Sequence, residues 1–397
     1  MRVLFLSRWF PAPADNGSKL RILHLLQALA ARHDVTLAAF VSEAPTQSQL
    51  RSLFRMCAAV RTAPLRTRGL RSFDSVLGFF DSRPRSVRAA FSPEMQAIVR
   101  EVWNAGHPDV VVASQIDMAP YALGIPNAVR VLDEVELTGY QDQVKAARGP
   151  LAGIRQQLMW AKRAAYTRRI LAGFDAWTVV SEAEQALAWS VAPDRPAPEV
   201  IPNGAEVTSP SSVNGQPAPG SIIYAGSVTY APNLEAVDYF IRDILPQVRA
   251  AMPEAVFTIT GRTDGVDLDG LRDAEGVRFP GLLDDIRSAI ARSWLSVAPI
   301  RSGGGTRLKI LESLALGTPV VSTSKGIEGL ELEDGRHVLI ADDAQTFVAN
   351  VVKLLGDPGL RRRLGDEGRR EVARHYDWDR IGSAFCSVVE RAARRTG

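Results

Sequence analysis

The chain has 397 residues, of which 46% are hydrophobic and 23% charged, the composition of an ordinary globular protein. This length suffices for two or three domains, and two is the natural division. The net charge of +3 is too small to indicate a nucleic-acid partner. The two cysteines, Cys57 and Cys386, have neither metal-ligand nor disulfide-framework spacing, which favours a reducing compartment.

The first half of the chain begins with a β–α–β pattern. Val3–Leu6 is a short apolar run that predicts a buried strand rather than a signal peptide, and no later run approaches membrane-spanning length. A Pro-rich loop, a helix from Gly17 and a strand at Val35–Phe40 follow, as in doubly wound α/β domains. We therefore expect a cytoplasmic protein, with peripheral attachment to the inner face of the cell membrane left open.

The start of this first helix is a candidate ligand loop. Asn16, Gly17 and Ser18 lie where the backbone N–H groups of a helix have no partner within the helix. An N-cap with a glycine turn explains the same residues and is favoured when they are taken alone.

Residues 51–100 carry ten arginines, no lysine and three acids, and Phe73, Phe79 and Phe80 lie among the arginines. A basic segment with exposed aromatic residues can dock on an anionic membrane surface. A pair of ordinary surface helices with solvated arginines explains the composition equally well. A long helix predicted over Leu151–Leu171 adds five basic residues and no acid, so both interpretations stay open.

Polar residues follow two further predicted strands, Val110–Ala113 and Val129–Leu132. Because the carboxyl ends of parallel strands line the crevice of an open α/β sheet, Gln115, Asp133 and Glu136 are placed to contact a substrate. A last strand at residues 177–181 precedes a helix that Ser181 is expected to cap.

A segment rich in Ser, Pro, Gly and Asn then predicts an interdomain linker. The predicted organisation is an N-terminal Rossmann-like domain over residues 1–205, a linker over 206–220 and a C-terminal Rossmann-like domain over 221–375. A C-terminal helix over 376–397 could pack back on the N-terminal domain. Two such domains would leave a deep cleft between them.

The most informative stretch lies in the second half, between Pro299 and Thr323. An apolar run ends in a tri-glycine loop, Gly303–Gly305, after which Thr306 is positioned to cap a helix. Gly317 ends that helix and a further strand begins at Val320. The unpaired amides and the dipole of a helix N-terminus favour an anion, so this unit predicts a phosphate site, although a tight structural turn explains the loop alone equally well.

Two cations, Arg307 and Lys309, lie in the same turn and strengthen this prediction. Glu312 follows on the same helix, between apolar neighbours.

Together these motifs resemble those of retaining GT-B glycosyltransferases of family 4. In chain order they are Asn16-Gly17, Val180-Ser181-Glu182, Ile201-Pro-Asn-Gly204, Tyr224-Ala-Gly-Ser227, Thr258-Ile-Thr-Gly261, Gly281-Leu-Leu-Asp-Asp285, Gly303–Gly305, Lys309-Ile-Leu-Glu312 and Ala315-x-Gly317-x-Pro319-Val-Val. The resemblance implies an α/β fold of GT-B type, in which two doubly wound Rossmann-like domains face each other across a cleft. It also implies a nucleotide diphosphate sugar, linked to UDP or GDP, as the donor.

The resemblance further implies a role for each matching residue. Arg307 and Lys309 would neutralise the departing diphosphate as the catalytic cations, and Glu312 would bind the ribose hydroxyls. The remaining implied contacts are with the donor diphosphate (Gly303, Gly304, Gly305, Thr306, Asn16, Gly17, Ser18 and Ser227), with the nucleobase (Arg262, Leu282 and Leu283) and with the acceptor (Gln115, Asp133 and Glu136).

The sequence departs from the family pattern at three places. The first glutamate of the usual Glu-x7-Glu pair is replaced by Gly304, and the usual diphosphate-binding Arg and Lys align with Ser227 and Asn233. The histidine often found near the end of a middle strand of the first domain is absent. Arg307 and Lys309 could supply the missing cations by geometry.

The leading hypothesis is a retaining glycosyltransferase that moves a sugar to a glycan or lipid-linked acceptor, in cell-surface polysaccharide biosynthesis. A catalytically silent subunit that binds nucleotide or glycan, motivated by the departures, is one alternative. A nucleotide-sugar epimerase or hydrolase on the same fold is another. No cofactor or metal is expected, because cations and helix dipoles can stabilise the diphosphate, and Asp267 and Asp269 imitate a metal motif only by a three-residue match. An anionic membrane surface is a candidate partner and nucleic acid is not.

Overall fold

The computed structural model describes residues 1–65, 83–147, 149–207, 217–303 and 305–396. The chain divides into two compact units. Unit 1 comprises Met1–Pro202 together with the residues from Asp379 onward, and unit 2 comprises Asn203–Trp378. Most of the predicted linker lies outside the described residues.

Unit 1 contains a seven-stranded parallel sheet with the order β3-β2-β1-β4-β5-β6-β7. Its strands are β1 (Arg2–Ser7), β2 (Asp34–Val41), β3 (Ala59–Pro64), β4 (Val110–Ser114), β5 (Val129–Asp133), β6 (Ala176–Val179) and β7 (Glu199–Val200). Its helices are α1 (Gly17–Ala30), α2 (Gln47–Phe54), α3 (Arg85–Ala89), α4 (Pro93–Gly106), α5 (Ala119–Leu123), α6 (Thr138–Ala146), α7 (Pro150–Leu171), α8 (Glu182–Val191) and, at the end of the chain, α15 (Trp378–Thr396).

The central strands of this sheet are buried on both faces, which explains why they are continuous apolar runs rather than alternating ones. Val3–Leu6 in β1 is at most 1% exposed. The doubly wound prediction is therefore confirmed, with β3 and β7 as strands that the sequence analysis missed. β3 lies within the basic segment 51–100, and Phe73, Phe79 and Phe80 of that segment lie outside the described residues.

The helix α15 packs on unit 1, although it ends the described chain. Glu390 forms an ion pair with Arg32 at 3.7 Å, and Arg391 pairs with Glu199. Gly382 approaches α1 so closely that a Cβ there would lie 2.5 Å from the Cβ of Ala28.

Unit 2 contains a six-stranded parallel sheet with the order β10-β9-β8-β11-β12-β13. Its strands are β8 (Ser221–Ala225), β9 (Val256–Thr260), β10 (Val277–Gly281), β11 (Leu295–Ala298), β12 (Val320–Ser322) and β13 (Leu339–Ile340). Its helices are α9 (Ala231–Tyr239), which continues as a π-helical turn over Phe240–Ile244, α10 (Leu245–Ala251), α11 (Ile286–Ala291), α12 (Leu308–Ala315), α13 (Ala344–Gly356) and α14 (Pro358–His375).

Both sheets therefore have the strand order of a dinucleotide-binding fold. In each, the order reverses beside the strand that begins the unit, between β1 and β4 in unit 1 and between β8 and β11 in unit 2. Ligands of open α/β sheets bind at the carboxyl ends of the strands on either side of such a reversal. The fold thus specifies one candidate ligand position in each unit.

Candidate functional site

In unit 2, the side chain of Lys309 lies at the end of β8, beside this reversal. Its ammonium donates to the hydroxyl of Tyr224 at 2.6 Å and to Oδ1 of Asn233 at 2.9 Å. It also lies 3.8 Å from the centre of the Tyr224 ring. The Tyr224 hydroxyl in turn donates to Asn233 Oδ1 at 2.7 Å, so three side chains from β8, α9 and α12 form one cluster.

The backbone at the exit of β8 makes room for this ammonium. Gly226 has φ of 155°, and a Cβ at that position would lie only 2.8 Å from the Nζ atom of Lys309. Any side chain here would displace the lysine, which explains why the motif Tyr224-Ala-Gly-Ser227 needs glycine at this position.

Burial lowers the pKa of Lys309 well below its ordinary value, and the nearby guanidinium of Arg307 lowers this pKa further. The carboxylate of Glu312 opposes both effects. A cation whose charge is disfavoured in this way gains most from a nearby anion, because the anion restores the charged form. The Lys309 cluster is therefore suited to bind phosphate oxygens.

Arg307 has a different position from the one the sequence analysis gave it. Its side chain turns back on its own loop and donates to the carbonyl oxygen of Gly303 at 2.6 Å and to that of Ser302 at 3.3 Å. The residue is only 8% exposed. Arg307 thus braces the glycine loop, and its charge acts on Lys309 through space.

The predicted cap of α12 is wrong. The helix begins at Leu308, its N-cap is Arg307, and no side chain caps it. Thr306 instead contributes its carbonyl oxygen to the N–H of Leu308 at 3.1 Å. The N-terminal amides of α12 are left without the side-chain cap that the sequence analysis had assigned to Thr306.

The glycine loop itself packs on the start of α9. Gly303 has φ of 87°, and a Cβ there would lie 2.9 Å from Pro232 and 3.0 Å from the hydroxyl of Tyr230. Glu235 of α9 accepts from Ser302 and pairs with Arg301 at 3.5 Å. The third glycine, Gly305, also has positive φ, whereas the predicted contact Gly304 lies outside the described residues.

Glu312, the predicted ribose ligand, is half-buried on α12. Burial raises the pKa of Glu312 to about 7, against the opposing charges of Arg287 and Lys309 and with a further increase from Glu206. Its carboxylate therefore changes charge near neutral pH.

The other predicted donor contacts in unit 2 lie at the neighbouring strand ends. Ser227 Oγ accepts from the backbone N–H of Arg262 at 3.0 Å, which joins the exits of β8 and β9. The guanidinium of Arg262 pairs with Asp264 at 2.9 Å. Leu282 is 67% exposed just after β10, and Leu283 is half-buried.

In unit 1, the predicted donor loop is an ordinary helix start. Asn16 is the N-cap of α1 and accepts from the N–H of Lys19 at 3.1 Å. Gly17 and Ser18 form the first turn and are half-buried. The structural alternative given for this loop accounts for its geometry, and its contact with a donor stays a prediction.

Asp133 was predicted to contact the acceptor, and the structure assigns it to the interior instead. Its carboxylate accepts from Arg21 at 2.6 and 3.0 Å and from Thr178 at 2.7 Å. Both Asp133 and Arg21 are 0% exposed. A carboxylate engaged in this way has no remaining surface for a substrate hydroxyl, so Asp133 is a structural residue.

The residue next to it, Glu134, is the one that sequence reasoning missed. It accepts a hydrogen bond from Gln115 Nε2 at 3.0 Å, and both residues have positive φ. Glu136, the other predicted acidic contact, is exposed two residues further on. Three of the four residues from Asp133 to Glu136 are acids, and only the backbone conformation distinguishes Glu134 from its neighbours.

Across the described ranges, no group of three His, Cys, Asp or Glu side chains could hold a metal ion. The segment around Asp267 and Asp269, which imitates a metal-binding motif in the sequence, forms a local turn, because the Asp267 carboxylate accepts a hydrogen bond from the backbone N–H of Asp269 at 2.9 Å.

Residues 219–357, which contain the Lys309 cluster, match the family described as glycosyl transferases group 1. The matched stretch lies within unit 2 and covers 139 of the 397 residues. The fold of the chain is of GT-B type, as its alignment with solved structures shows. The Anabaena HepE protein in complex with UDP-glucose aligns with a TM-score of 0.65 over 98% of this chain and 100% of that one, at 14% identity.

Two curated relatives of this chain are named as mannosyltransferases. The phosphatidyl-myo-inositol mannosyltransferase of Mycobacterium leprae is 31% identical over 203 residues, which is 49% of this chain and 53% of that protein. The GDP-mannose-dependent monoacylated alpha-(1-6)-phosphatidylinositol monomannoside mannosyltransferase of Corynebacterium glutamicum is 27% identical over 38% of this chain and 42% of that protein. The chain thus spans about half the length of the curated relatives it matches.

Proposed function

We propose that the protein is a retaining glycosyltransferase that moves a hexose from a nucleotide diphosphate sugar to a lipid-linked or glycan acceptor of the cell surface. The observation that carries this proposal is the Lys309 cluster at the reversal of the second sheet. A half-buried ammonium with a lowered pKa at this reversal supports diphosphate binding, because open α/β folds bind their ligands at such a position. The group 1 family match of the same residues supports it.

In the proposed reaction, the bond between the anomeric carbon and the diphosphate oxygen breaks while a bond to the acceptor oxygen forms. The proton of the acceptor hydroxyl is released to solvent in the overall reaction, and the nucleoside diphosphate leaves with one more negative charge than it carried in the donor. Lys309 would stabilise that charge, because the ammonium and its partners are already fixed before the charge develops. The loop amides before α12 would share this role, and Glu312 would hold the ribose. This electrostatic arrangement is the basis for expecting no metal cofactor.

The proposal also concerns the nucleobase of the donor, which could be uracil or guanine. One relative is named as GDP-mannose-dependent, and HepE was solved with UDP-glucose. Leu282, Leu283 and Arg262 at the exits of β9 and β10 would contact the base. UDP and GDP are therefore both candidate nucleotides, and their binding can be compared directly.

A lipid-linked acceptor is supported by the surface of α7. Leu151, Ile154 and Leu158 are 83%, 56% and 49% exposed, respectively, and lie on one side of the helix. We call these three residues the apolar stripe of α7. The helix carries five basic residues and no acid, and Arg155 is exposed within the stripe. An exposed apolar stripe flanked by cations fits an anionic membrane surface. Within the described ranges, none of the helices has both the length and the apolar character needed to cross a bilayer.

The test has two stages. Thermal unfolding of the full chain with GDP, UDP, guanosine and uridine identifies the nucleotide, because a ligand at 100 times its Kd stabilises by about 2.7 kcal/mol. Release of nucleotide from GDP-mannose or UDP-glucose is then measured with and without phosphatidyl-myo-inositol vesicles. Faster release with acceptor, accompanied by a glycosylated lipid, is the expected result.

The same measurements distinguish the alternatives. A nucleotide that stabilises the chain while neither donor is cleaved would indicate a silent binding subunit. Conversion of the donor sugar without transfer would indicate an epimerase or hydrolase. If neither nucleotide changes the thermal unfolding, the assignment of the Lys309 cluster to a diphosphate is wrong.

A further inference from the structure

Unit 1 has its own candidate ligand position at the β1/β4 reversal, where Gln115 follows β4 and Glu134 follows the neighbouring strand β5. Gln115 directly follows β4 and Glu134 directly follows β5, and these strands are paired with Ser114 opposite Asp133. Both side chains therefore stand at the carboxyl edge of the sheet, where an open α/β fold presents its ligand-binding groups.

Both residues adopt a backbone conformation that long side chains rarely take. Gln115 has φ of 70° and Glu134 has φ of 59°. Of the other non-glycine residues with positive φ in the described ranges, His107 ends a helix and Asn127 is a residue type that tolerates this region. Neither explanation applies to Gln115 or Glu134. Such conformations persist only where surrounding contacts enforce them, and they concentrate at functional sites.

The contacts that enforce the conformation are present. The N–H of Gln115 donates to the carbonyl oxygen of Asp133 at 3.0 Å, and the N–H of Glu134 donates to Thr178 Oγ1 at 3.4 Å. The N–H of Val135 donates to the carbonyl oxygen of Thr178 at 3.1 Å. Beneath them lies the buried Arg21–Asp133 ion pair. The backbone around Glu134 is thus held on both sides by β4 and β6.

We propose that Glu134 is the residue that accepts the hydrogen bond of the acceptor hydroxyl, and that Gln115 is a positioning residue that orients its carboxylate. This inference rests on the proposed transferase function and adds to it the residue on the acceptor side. The 3.0 Å bond from Gln115 Nε2 occupies Glu134 Oε2. A carboxylate has two oxygens with several acceptor directions, so the hydroxyl of a sugar, polyol or water can be bound beside the amide.

The electrostatic surroundings make this acceptor sensitive to pH. Burial raises the pKa of Glu134 to about 7. Arg21 on α1 and the hydrogen bond from Gln115 lower it, whereas Asp133 on β5 and Glu136 in the following loop raise it. The ionised carboxylate is the better hydrogen-bond acceptor, so Glu134 should bind the acceptor hydroxyl more strongly as the pH rises through about 7. Because the pKa of Glu134 is raised from 4.5 to about 7, this residue also lowers the stability of the folded state as the pH rises from about 4.5 to 7. A residue kept only for stability would not be expected to carry this penalty.

The test uses the full chain with GDP-mannose and UDP-glucose, and water as the smallest acceptor. The rate of nucleoside diphosphate release is measured from pH 5.5 to 9 without added acceptor, and again with glycerol. In Glu134→Gln we expect release to fall about tenfold or more, with an unchanged donor KM and an unchanged thermal shift by the nucleotide. The wild-type rate should rise through about pH 7, and the variant should lose this rise.

Gln115→Leu provides a second, independent readout. Removal of the amide eliminates a hydrogen bond that lowers the pKa of Glu134, so the midpoint of the pH profile should move upward. Glu134→Asp should restore part of the rate. Glu43→Gln is the matched control, because Glu43 is an exposed acid beyond the carboxyl end of β2 in the same sheet, and it should behave as wild type.

Two results would overturn the proposal. One is a Glu134→Gln rate and pH profile equal to those of the wild type. The other is a loss of release in Glu134→Gln that is matched by loss of the nucleotide's thermal shift, since this would make Glu134 a structural residue. If the wild type cleaves neither donor, the proposed transferase function fails, and this inference fails with it.

Discussion

The ammonium of Lys309 lies 2.9 Å from Oδ1 of Asn233, at the position where the resembling family carries its own lysine. The side chain that the family supplies from the helix after β8 is here supplied from α12. Asn233 remains as a hydrogen-bond acceptor, and its Nδ2 donates to the carbonyl oxygen of Ser227 at 2.8 Å. We therefore expect Lys309 to take the role at the diphosphate that the resemblance gives to the family's lysine.

Replacement of this lysine should weaken diphosphate binding selectively. In Lys309→Ala we expect the Kd for the nucleoside diphosphate to rise roughly 30-fold, since loss of a charge-assisted contact in a closed site costs about 2 kcal/mol. The free nucleoside should bind as before, by isothermal titration calorimetry. Lys353→Ala, an exposed lysine on α13, is the matched control. Equal losses for nucleoside and diphosphate would contradict the assignment.

The lowered pKa of Lys309 predicts proton uptake on binding. Without a ligand, the folded state holds its proton less tightly than the unfolded chain, so between the lowered pKa and the ordinary value near 10.5 stability rises with pH. A bound diphosphate restores the proton. Titrations in buffers of different ionisation enthalpy should show more proton uptake for the diphosphate than for the nucleoside. The same difference should vanish in Lys309→Ala, and its persistence there would assign the proton to another group.

Glu312→Gln should abolish a pH dependence that the wild type shows. With a pKa of about 7, the wild-type carboxylate accepts two ribose hydroxyls only in its ionised form, so nucleoside affinity should increase as the pH rises through about 7. The variant should bind weakly at every pH. An acid with a raised pKa destabilises the fold as pH rises from about 4.5 to 7, so the variant should not lower the melting temperature at pH 7.5. A large loss of stability without a change in binding would make Glu312 structural.

The buried ion pair of unit 1 should be essential to its stability. Arg21→Leu leaves Asp133 charged and without its partner at 0% exposure, which should cost about 3–5 kcal/mol of unfolding free energy in urea. Arg21→Lys should recover only part, because one ammonium cannot replace bonds to both carboxylate oxygens and to the carbonyl of Ile201. Arg242→Leu breaks an exposed pair with Asp238 and should be neutral. A similarly small effect of Arg21→Leu would show that the pair is dispensable.

Membrane docking should depend on both hydrophobic and cationic contacts. We expect co-sedimentation with anionic but not zwitterionic vesicles, lost at high salt because the Debye length shortens. Replacement of Arg83, Arg85 and Arg88 by Glu should abolish binding, and so should serine at all positions of the apolar stripe of α7. Trp189→Ser, which replaces an exposed aromatic residue on α8 outside the basic segment, serves as the control. If the protein ignores anionic vesicles at low salt, the acceptor is a soluble metabolite.

Much of the fold could be predicted because buried parallel strands are continuous apolar runs. β1, β4 and β8 were recognised in this way, whereas the two-residue β7 and β13 are too short to produce a pattern. The end of α12, two residues before Gly317, follows from the presence of that glycine alone. Its beginning does not, because Arg307 bonds to carbonyls of its own loop and takes the N-cap position expected for Thr306.

The candidate site was predicted where local motifs specify it and missed where long-range packing does. Lys309 was recognised from the loop, but its partners Tyr224 and Asn233 lie far away in the sequence. On the other side, the choice between Asp133 and Glu134 depends on a positive φ and on burial against α1. Neither can be read from three acids within four residues, so the sequence analysis selected the buried Asp133 and did not select Glu134.

The placement of α15 has a consequence for synthesis. Unit 2 is continuous along the chain, whereas unit 1 requires the residues from Asp379 onward, which are synthesised after unit 2. The surface of α1 that receives Gly382, and Arg32 just after α1, which pairs with Glu390, must therefore stay uncovered until the whole of unit 2 has been synthesised. We expect nascent chains stopped at Trp378 to contain a protease-resistant second unit and a first unit that is still open to cleavage, so that the two units are completed in the reverse of their order in the sequence.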